Sequence, residues 1–307
     1  MSLESVSIII CTKDRSEHLE QTLASLARVH NPDDLDVELI VVDNNSDDDT
    51  AAVGRRQDVP FCSHRVLHEP RTGLSNARNR AFDAARGDLL LLTDDDVRLP
   101  KNWISRMTRP IRNGQGDAVA GGVRIAPHLE RPWMEPWHRS FLASSRRIEE
   151  EDPLTDMIGA NMCVGRHVLE EVSQFDPRLG PGALGLCGES LFALQLHRAG
   201  FQIAPAFDTV VEHHFDPSRL SRESFLSAAK RLGRSMAYIH HTHLPERSTL
   251  PEGQVQPYLE LFLQKAKLLA KHLLRRPYKD SRPPFMSWEN YHVRRIAYLK
   301  QSLRERT

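Results

Sequence analysis

The run Asp88-Leu89-Leu90-Leu91-Leu92-Thr93-Asp94-Asp95-Asp96-Val97-Arg98-Leu99-Pro100 sets four leucines directly before three carboxylates. Consecutive leucines behind Gly87-Asp88 read as a strand buried on both faces, the habit of a central strand in a parallel sheet. Three acids at the end of such a strand repel one another, so something must offset them, and a divalent cation is the natural candidate. The plainer alternative is an acidic helix start, with Asp96 near the N-cap and Pro100 in the first turn of a helix running to about Arg112. A cap needs one carboxylate rather than three.

Working outward, two earlier segments end in the same way. Val6-Ser7-Ile8-Ile9-Ile10-Cys11 is an apolar, β-branched run that ends in Thr12-Lys13-Asp14-Arg15, with Ser16 expected to cap the helix that follows. Val37 to Val42 forms a second strand and delivers Asp43-Asn44-Asn45-Ser46. In an open parallel sheet the ligand crevice lies outside the carboxyl ends of the strands, so Thr12, Asp43 and the three aspartates should converge if these strands are neighbours. A weaker fragment at Val66-Leu67 leads to Arg71 and a helix from Leu74 to Ala85, closed by Gly87 as a left-handed C′ residue. Arg71 and Arg78, at the start of that helix, resemble a diphosphate site.

Beyond the aspartates, Asp117 to Val123 reads as a strand whose Gly121-Gly122 pair would allow a ligand to approach the backbone closely. Periodicity is lost from Arg124 to Asp156, a segment read as an insertion with Trp133 and Trp137 as candidates for stacking on a sugar and an acidic run from Glu149 to Asp152. Met157 to Gly165 returns as a strand, and a glycine-rich loop from Leu179 to Gly188 opens into a helix at Glu189. A carboxylate at the mouth of such a loop is well placed to take a proton. Two further short strands end at His213-His214, either of which could complete a metal site with the aspartates. The remainder reads as three helices, Arg219 to His241, Pro257 to Leu274 and Trp288 to Leu303.

Composition bounds the function. At 40% hydrophobic and 27% charged residues the chain is globular, and no run of about 18 apolar residues marks a membrane span. With no basic leader at Met1, the expected location is the cytoplasm. Cys11, Cys62, Cys163 and Cys187 show no metal-binding spacing and are expected to be buried, unbridged thiols. The net charge of zero is unevenly spread: from Arg219 onward 18 Lys and Arg face 7 Asp and Glu, a net of +11. Lys265, Lys267, Lys271, Arg275 and Arg276, set among leucines, suit either a solvated basic face or a peripheral contact with the anionic inner face of a membrane. No recognisable nucleic-acid module is present, and no nucleic-acid partner is expected.

Taken together, Val6 to Arg15, Val42-Asp43-Asn44-Asn45-Ser46, Gly73-Leu74-Ser75-Asn76-Ala77-Arg78-Asn79 and Thr93-Asp94-Asp95-Asp96 resemble the family 2 glycosyltransferases, with Gly159-Ala160-Asn161-Met162, Phe175-Asp176 and Val211-Glu212-His213 in the expected order. The resemblance implies an α/β chain of GT-A type: a Rossmann-like, mostly parallel sheet with flanking helices. Its domain would cover 1–218, with a donor half to about 123 and an acceptor half from about 124, and 219–307 would form a basic helical extension. It implies inverting transfer of a sugar from a nucleotide-diphospho-sugar donor to an acceptor hydroxyl, on a carbohydrate or lipid-linked molecule, with Mn²⁺ or Mg²⁺ as cofactor. Thr12 and Asp14 would line the nucleoside pocket, Asp43 would take the base or ribose, and Arg78 would face the phosphates. Asp94 would approach the ribose and Asp96 the metal, with Asp95 either facing solvent or sharing the second role. His213 would join the metal.

One departure stands out. The family usually carries Glu-Asp at the mouth of the late helix, with Asp as general base, whereas this chain has Gly188-Glu189-Ser190. Aligned on Leu191-Phe192, Glu189 takes the base position. The other register places Ser190 there and would leave a non-catalytic protein that binds the nucleotide sugar. A sugar nucleotidyltransferase is disfavoured because Thr12-Lys13-Asp14-Arg15 lacks the glycines that hold a triphosphate, and a nicotinamide enzyme because no G-x-G-x-x-G follows the first strand.

Overall fold

The computed structural model describes residues 5–31, 35–56, 59–145, 157–273 and 283–306. By internal contact these fall into two compact units. The first comprises residues 1–130, 136–178 and 188–215; the second comprises 131–135, 179–187 and 216–307.

The first unit is built on an eight-stranded sheet in the order β3-β2-β1-β4-β7-β6-β8-β5. Strands β1 (Ser5–Thr12), β2 (Asp36–Asp43), β3 (Ser63–His68) and β4 (Leu89–Asp94) are mutually parallel. The apolar strands fill both faces in alternation. Ile8, Ile10, Leu39, Val41, Leu89 and Leu91 join one core cluster, while Ile9, Ile40, Val42, Leu90 and Leu92 join the other. The first cluster is closed by α1 (Ser16–Leu26) and α4 (Trp103–Arg112), the second by α3 (Leu74–Ala84). A short helix α2 (Thr50–Gly54) follows β2.

β7 (Asn161–Gly165) runs antiparallel to β4 and to β6 (Ala118–Ile125), and β6 pairs parallel with β8 (Ile203–His213). A two-residue strand, β5 (Val97–Arg98), pairs antiparallel with the end of β8, setting Val97 opposite His213. It was not expected from sequence, since two residues carry no periodicity. The short helices α5 (Pro136–Phe141) and α6 (Val168–Glu171), and then α7 (Gly188–Arg198), complete this unit.

Several local readings are corrected. Arg15, not Ser16, occupies the cap position of α1. α4 begins at Trp103 behind Asn102, so Pro100 precedes the helix and Asp96 caps nothing. Met157 to Ala160 lie outside β7, and the two late fragments are one continuous β8. Gly87 is not a left-handed cap. α3 ends at Ala84 with Ala85 in extended backbone, and Gly87 is required because a Cβ there would lie 2.4 Å from the Ser7 nitrogen of β1. Nor do Gly121 and Gly122 leave room for a ligand: a Cβ on Gly121 would lie 2.2 Å from Asn161 Nδ2, and one on Gly122 would lie 2.4 Å from the Phe207 carbonyl oxygen. Among the cysteines only Cys163 is buried, Cys11, Cys62 and Cys187 being half-buried, and none forms a disulfide. Trp137 stacks on His138 with ring centroids 3.5 Å apart, so it packs against its own chain. The acidic run at 149–152, together with Arg275 and Arg276, lies outside the described residues.

The second unit holds α8 (Arg222–Thr242), α9 (Gln256–Leu273) and α10 (Ser287–Glu305), close to the three helices expected. α8 and α10 meet at Gly233, where a Cβ would fall 2.2 Å from the Arg294 carbonyl oxygen. Trp133 lies edge-on to Phe225, 6.0 Å between centroids, which makes it a packing aromatic. The glycine-rich loop belongs to this unit, with Gly180, Gly182, Gly185 and Cys187 at positive φ.

Candidate active site

The parallel register brings the predicted residues to one edge of the sheet. Thr12 pairs with Asp43 and Cys11 with Asp94, so β1 ends between the two acidic strand ends. Asp43 Oδ1 accepts from the Ser46 nitrogen at 3.1 Å, which curls the chain back after β2. Asp14 sits at φ 51° and ties the two loops together: its nitrogen donates to Ser46 Oγ at 2.9 Å and its Oδ1 accepts from the Asp47 nitrogen at 2.7 Å.

The three aspartates differ in environment. Asp95, expected to face solvent or share a ligand role, is buried, and Arg15 Nη1 reaches both Asp95 Oδ1 and Asp96 Oδ2 at 2.7 Å. Burial pushes the Asp95 carboxyl up to about 6 despite Arg15. Burial would also raise Asp96, but His213 and Arg15 outweigh it and hold this carboxyl well below the usual range. Asp94 is raised by burial against the pull of Arg78. Arg15 was not singled out from sequence; a cation three residues past a strand end gives no signal until the fold sets it over the aspartates.

His213 reaches Asp96 because β5 turns straight after the aspartates and pairs with the end of β8. Its Nε2 lies 3.2 Å from Asp96 Oδ1, and its Nδ1 lies 2.8 Å from the Leu142 carbonyl oxygen. A carbonyl only accepts, so Nδ1 is the donor in that contact and Nε2 is the ring atom that faces the carboxylate. Asp96 Oδ1 is buried and takes no hydrogen bond of good geometry among the described residues. His214 is turned the other way, 3.5 Å from Glu212 and against the His128 ring. Of the two imidazoles it is His213 that lies against Asp96.

Arg78 and Glu189 form the other half of the site. Arg78 is buried over the Phe175 ring and donates to Glu189 Oε1 at 2.7 Å, with Nη2 3.5 Å from Asp94 Oδ1. Burial would raise Glu189, but Arg78 outweighs it and keeps this carboxyl below the ordinary glutamate value. A Cβ on Gly159 would lie 1.9 Å from Arg78 Nη2 and 2.6 Å from Glu189 Oε1, so the pair occupies the space that a side chain would take. Below them Asn161 is fully buried, accepting from Trp103 Nε1 at 2.8 Å and donating to the carbonyls of Gly122 and Thr209. Arg71 is not part of this cluster. It wraps back on Glu69, donating from its backbone, Nε and Nη2, and holds that carboxyl down at about 2.

The charges in direct contact here are four carboxylates, Asp94, Asp95, Asp96 and Glu189, against two guanidiniums, Arg15 and Arg78. Carboxylates thus outnumber guanidiniums, with His213 Nε2 as a further partner of Asp96. No three His, Cys, Asp or Glu residues form a complete cation cage among the described residues. Among the described residues, His213 Nε2 and Asp96 Oδ1, 3.2 Å apart, are the two atoms that could share such an ion, whose remaining oxygens would come from phosphate and water.

The family model for glycosyl transferase family 2 matches residues 7–173, more than half of the chain. The succinoglycan biosynthesis protein ExoM of Rhizobium meliloti is 35% identical over 121 residues, 39% of this chain and 38% of that protein. A dolichol-phosphate mannosyltransferase of Pyrococcus furiosus is 27% identical over 199 residues, 64% of this chain and 50% of its own length. The chain thus spans half or less of these two relatives. In fold it is similar to the mannosyltransferase PcManGT of Pyrobaculum calidifontis, solved with GDP-Man and Mn²⁺, at a TM-score of 0.64 and 18% identity over 98% of this chain and 88% of that one. Glucosyl-3-phosphoglycerate synthase of Mycobacterium tuberculosis, solved with Mn²⁺, UDP-glucose and phosphoglyceric acid, gives a TM-score of 0.51 at 21% identity, over 74% and 79% of the two chains.

Proposed function

Because this chain belongs to glycosyl transferase family 2 and has the GT-A fold, we propose that it is an inverting, metal-dependent glycosyltransferase. It moves a sugar from a nucleotide-diphospho-sugar to an acceptor hydroxyl in polysaccharide or glycoconjugate biosynthesis. The observation that carries this reading is the approach of His213 Nε2 to the buried Asp96 Oδ1 at 3.2 Å, in one strand-end cluster with Arg78 and a Glu189 held below its ordinary value. The solved neighbours that hold Mn²⁺ with GDP-Man or with UDP-glucose support it.

In this reading Thr12, Asp14 and Asp43 receive the nucleoside, Asp94 meets the ribose, and Asp96 with His213 holds Mn²⁺ or Mg²⁺. The cation, when bound, stabilises the negative charge that builds on the departing diphosphate. Arg15 holds Asp95 and Asp96 in place, so that Asp96 turns one oxygen towards Arg15 and the other towards His213. Glu189 takes the proton of the acceptor hydroxyl as it attacks the anomeric carbon on the face opposite the leaving group, which inverts that centre. An acceptor hydroxyl has a pKa far above 7, so this proton transfer contributes on the order of 10²- to 10⁴-fold. Arg78 orients Glu189 and keeps it ionised, and its positive charge faces the developing phosphate charge.

Glu189→Gln tests the reading. The amide keeps the size and loses the basicity, so donor binding should stay within about twofold while transfer falls by ~10²-fold or more. Undiminished turnover in this variant would remove Glu189 from the mechanism and return the base to another group.

A further inference from the structure

α9 packs on α10 through one side only. Gln264 accepts from His292 Nδ1 at 2.7 Å, and Glu260 is clamped by Arg295 at 2.7 Å, so the inward line runs through Glu260, Leu261, Gln264 and Leu268. The opposite side is apolar and exposed. Tyr258, Leu259, Phe262, Leu269 and Leu273 are 60%, 55%, 66%, 61% and 78% accessible. At about 100° per residue these five share one arc of the helix, centred away from α10. Leu263, 45% accessible, continues the arc, with Lys265 on one edge and Lys267 on the other, both exposed; Lys271 lies on the α10 side, its Nζ 5.4 Å from the Trp288 ring centroid.

We propose that this face of α9 docks on an anionic lipid surface, lying in the plane of the interface. An outward apolar stripe bordered on both sides by lysines matches such a surface: the leucines and Phe262 enter the acyl boundary while the lysine stems extend their ammonium groups to the lipid phosphates. A second copy of the chain is the poorer occupant. A two-fold pairing brings the same patch against itself, and the sole acid of the helix, Glu260, is already committed to Arg295, so lysine would meet lysine. Insertion across the bilayer is not an option for this element, since no helix among the described residues is long and apolar enough. The inference stands on the second unit alone and is independent of the donor chemistry.

The test is flotation of the full chain with phosphatidylcholine vesicles, with and without about one-third phosphatidylglycerol, at low and high salt. Wild type should float only with the anionic vesicles and less so in high salt. Phe262→Asp combined with Leu269→Asp should weaken partitioning by at least about tenfold, and each Lys→Glu at 265 or 267 by about fivefold. These positions are exposed, so folding is checked by unchanged helical circular dichroism. As an independent readout, Leu269→Trp should shift its emission to the blue with anionic vesicles. Failure to float at low salt, flotation indifferent to the aspartates, or a solution dimer that the aspartates dissociate would each overturn the proposal, the last by assigning the face to a second copy. Donor binding is measured without lipid, so its failure would be read separately.

Discussion

At Gly159 a single hydrogen atom sets the geometry of the proposed base. Arg78 and Glu189 close over it, and a methyl group there would lie 1.9 Å from the guanidinium and 2.6 Å from the carboxylate. Gly159→Ala should therefore separate the pair while leaving the sheet intact. A displacement of about 1 Å at a catalytic group can cost ~10²-fold, so transfer should fall by that order with the melting temperature nearly unchanged. Parallel measurement of kcat and thermal unfolding checks this, and a stable variant of full activity would show that the contact between Arg78 and Glu189 is incidental. At this scale the sequence was informative about residue types and silent about partners. The three aspartates, Arg78 and Glu189 stand out as motifs, whereas Arg15 acquires its place only when the fold lays it across Asp95 and Asp96.

Among the elements, the loops at the carboxyl ends of the strands carry a second, structural layer. Asn44 is buried, donates to the carbonyls of Glu69 and Arg71 at 2.9 and 2.8 Å, and accepts from the Gly73 nitrogen at 2.9 Å, joining the end of β2 to the start of α3. Glu69, within this knot, is held by Arg71 at about 2 against an ordinary 4.5. Its pKa is depressed in the folded state, so its stabilising effect is fully present above pH 4.5 and is lost as pH falls towards 2. Glu69→Gln should abolish that part of the acid dependence, so the difference in melting temperature between wild type and variant should shrink on acidification through this window. A difference constant with pH would mean that Arg71, which is largely exposed, is too well screened to matter. Elements with a long apolar pattern were legible, such as β1, β2, β4 and the late helices. β5 was not, because its two residues are fixed by pairing with β8, and that pairing is what delivers His213 to Asp96.

For the whole molecule, the charge asymmetry visible in the sequence has a local expression in each unit. The first unit gathers carboxylates at the strand ends, partly compensated by Arg15 and Arg78, and the second places lysines along α9. The three aspartates do not depend on a cation alone, since the chain supplies two guanidiniums of its own. What remains is the excess of carboxylates over guanidiniums and the facing of Asp96 Oδ1 and His213 Nε2. The most direct test of the proposed donor site is calorimetric titration of UDP, GDP and dTDP with Mn²⁺ and with chelator, on wild type and on Asp96→Ala. The expected result is tight binding of one nucleotide that requires both the metal and Asp96. Binding of no nucleotide under any condition, or equal binding with chelator and in Asp96→Ala, would contradict a metal-dependent donor site at the end of β4.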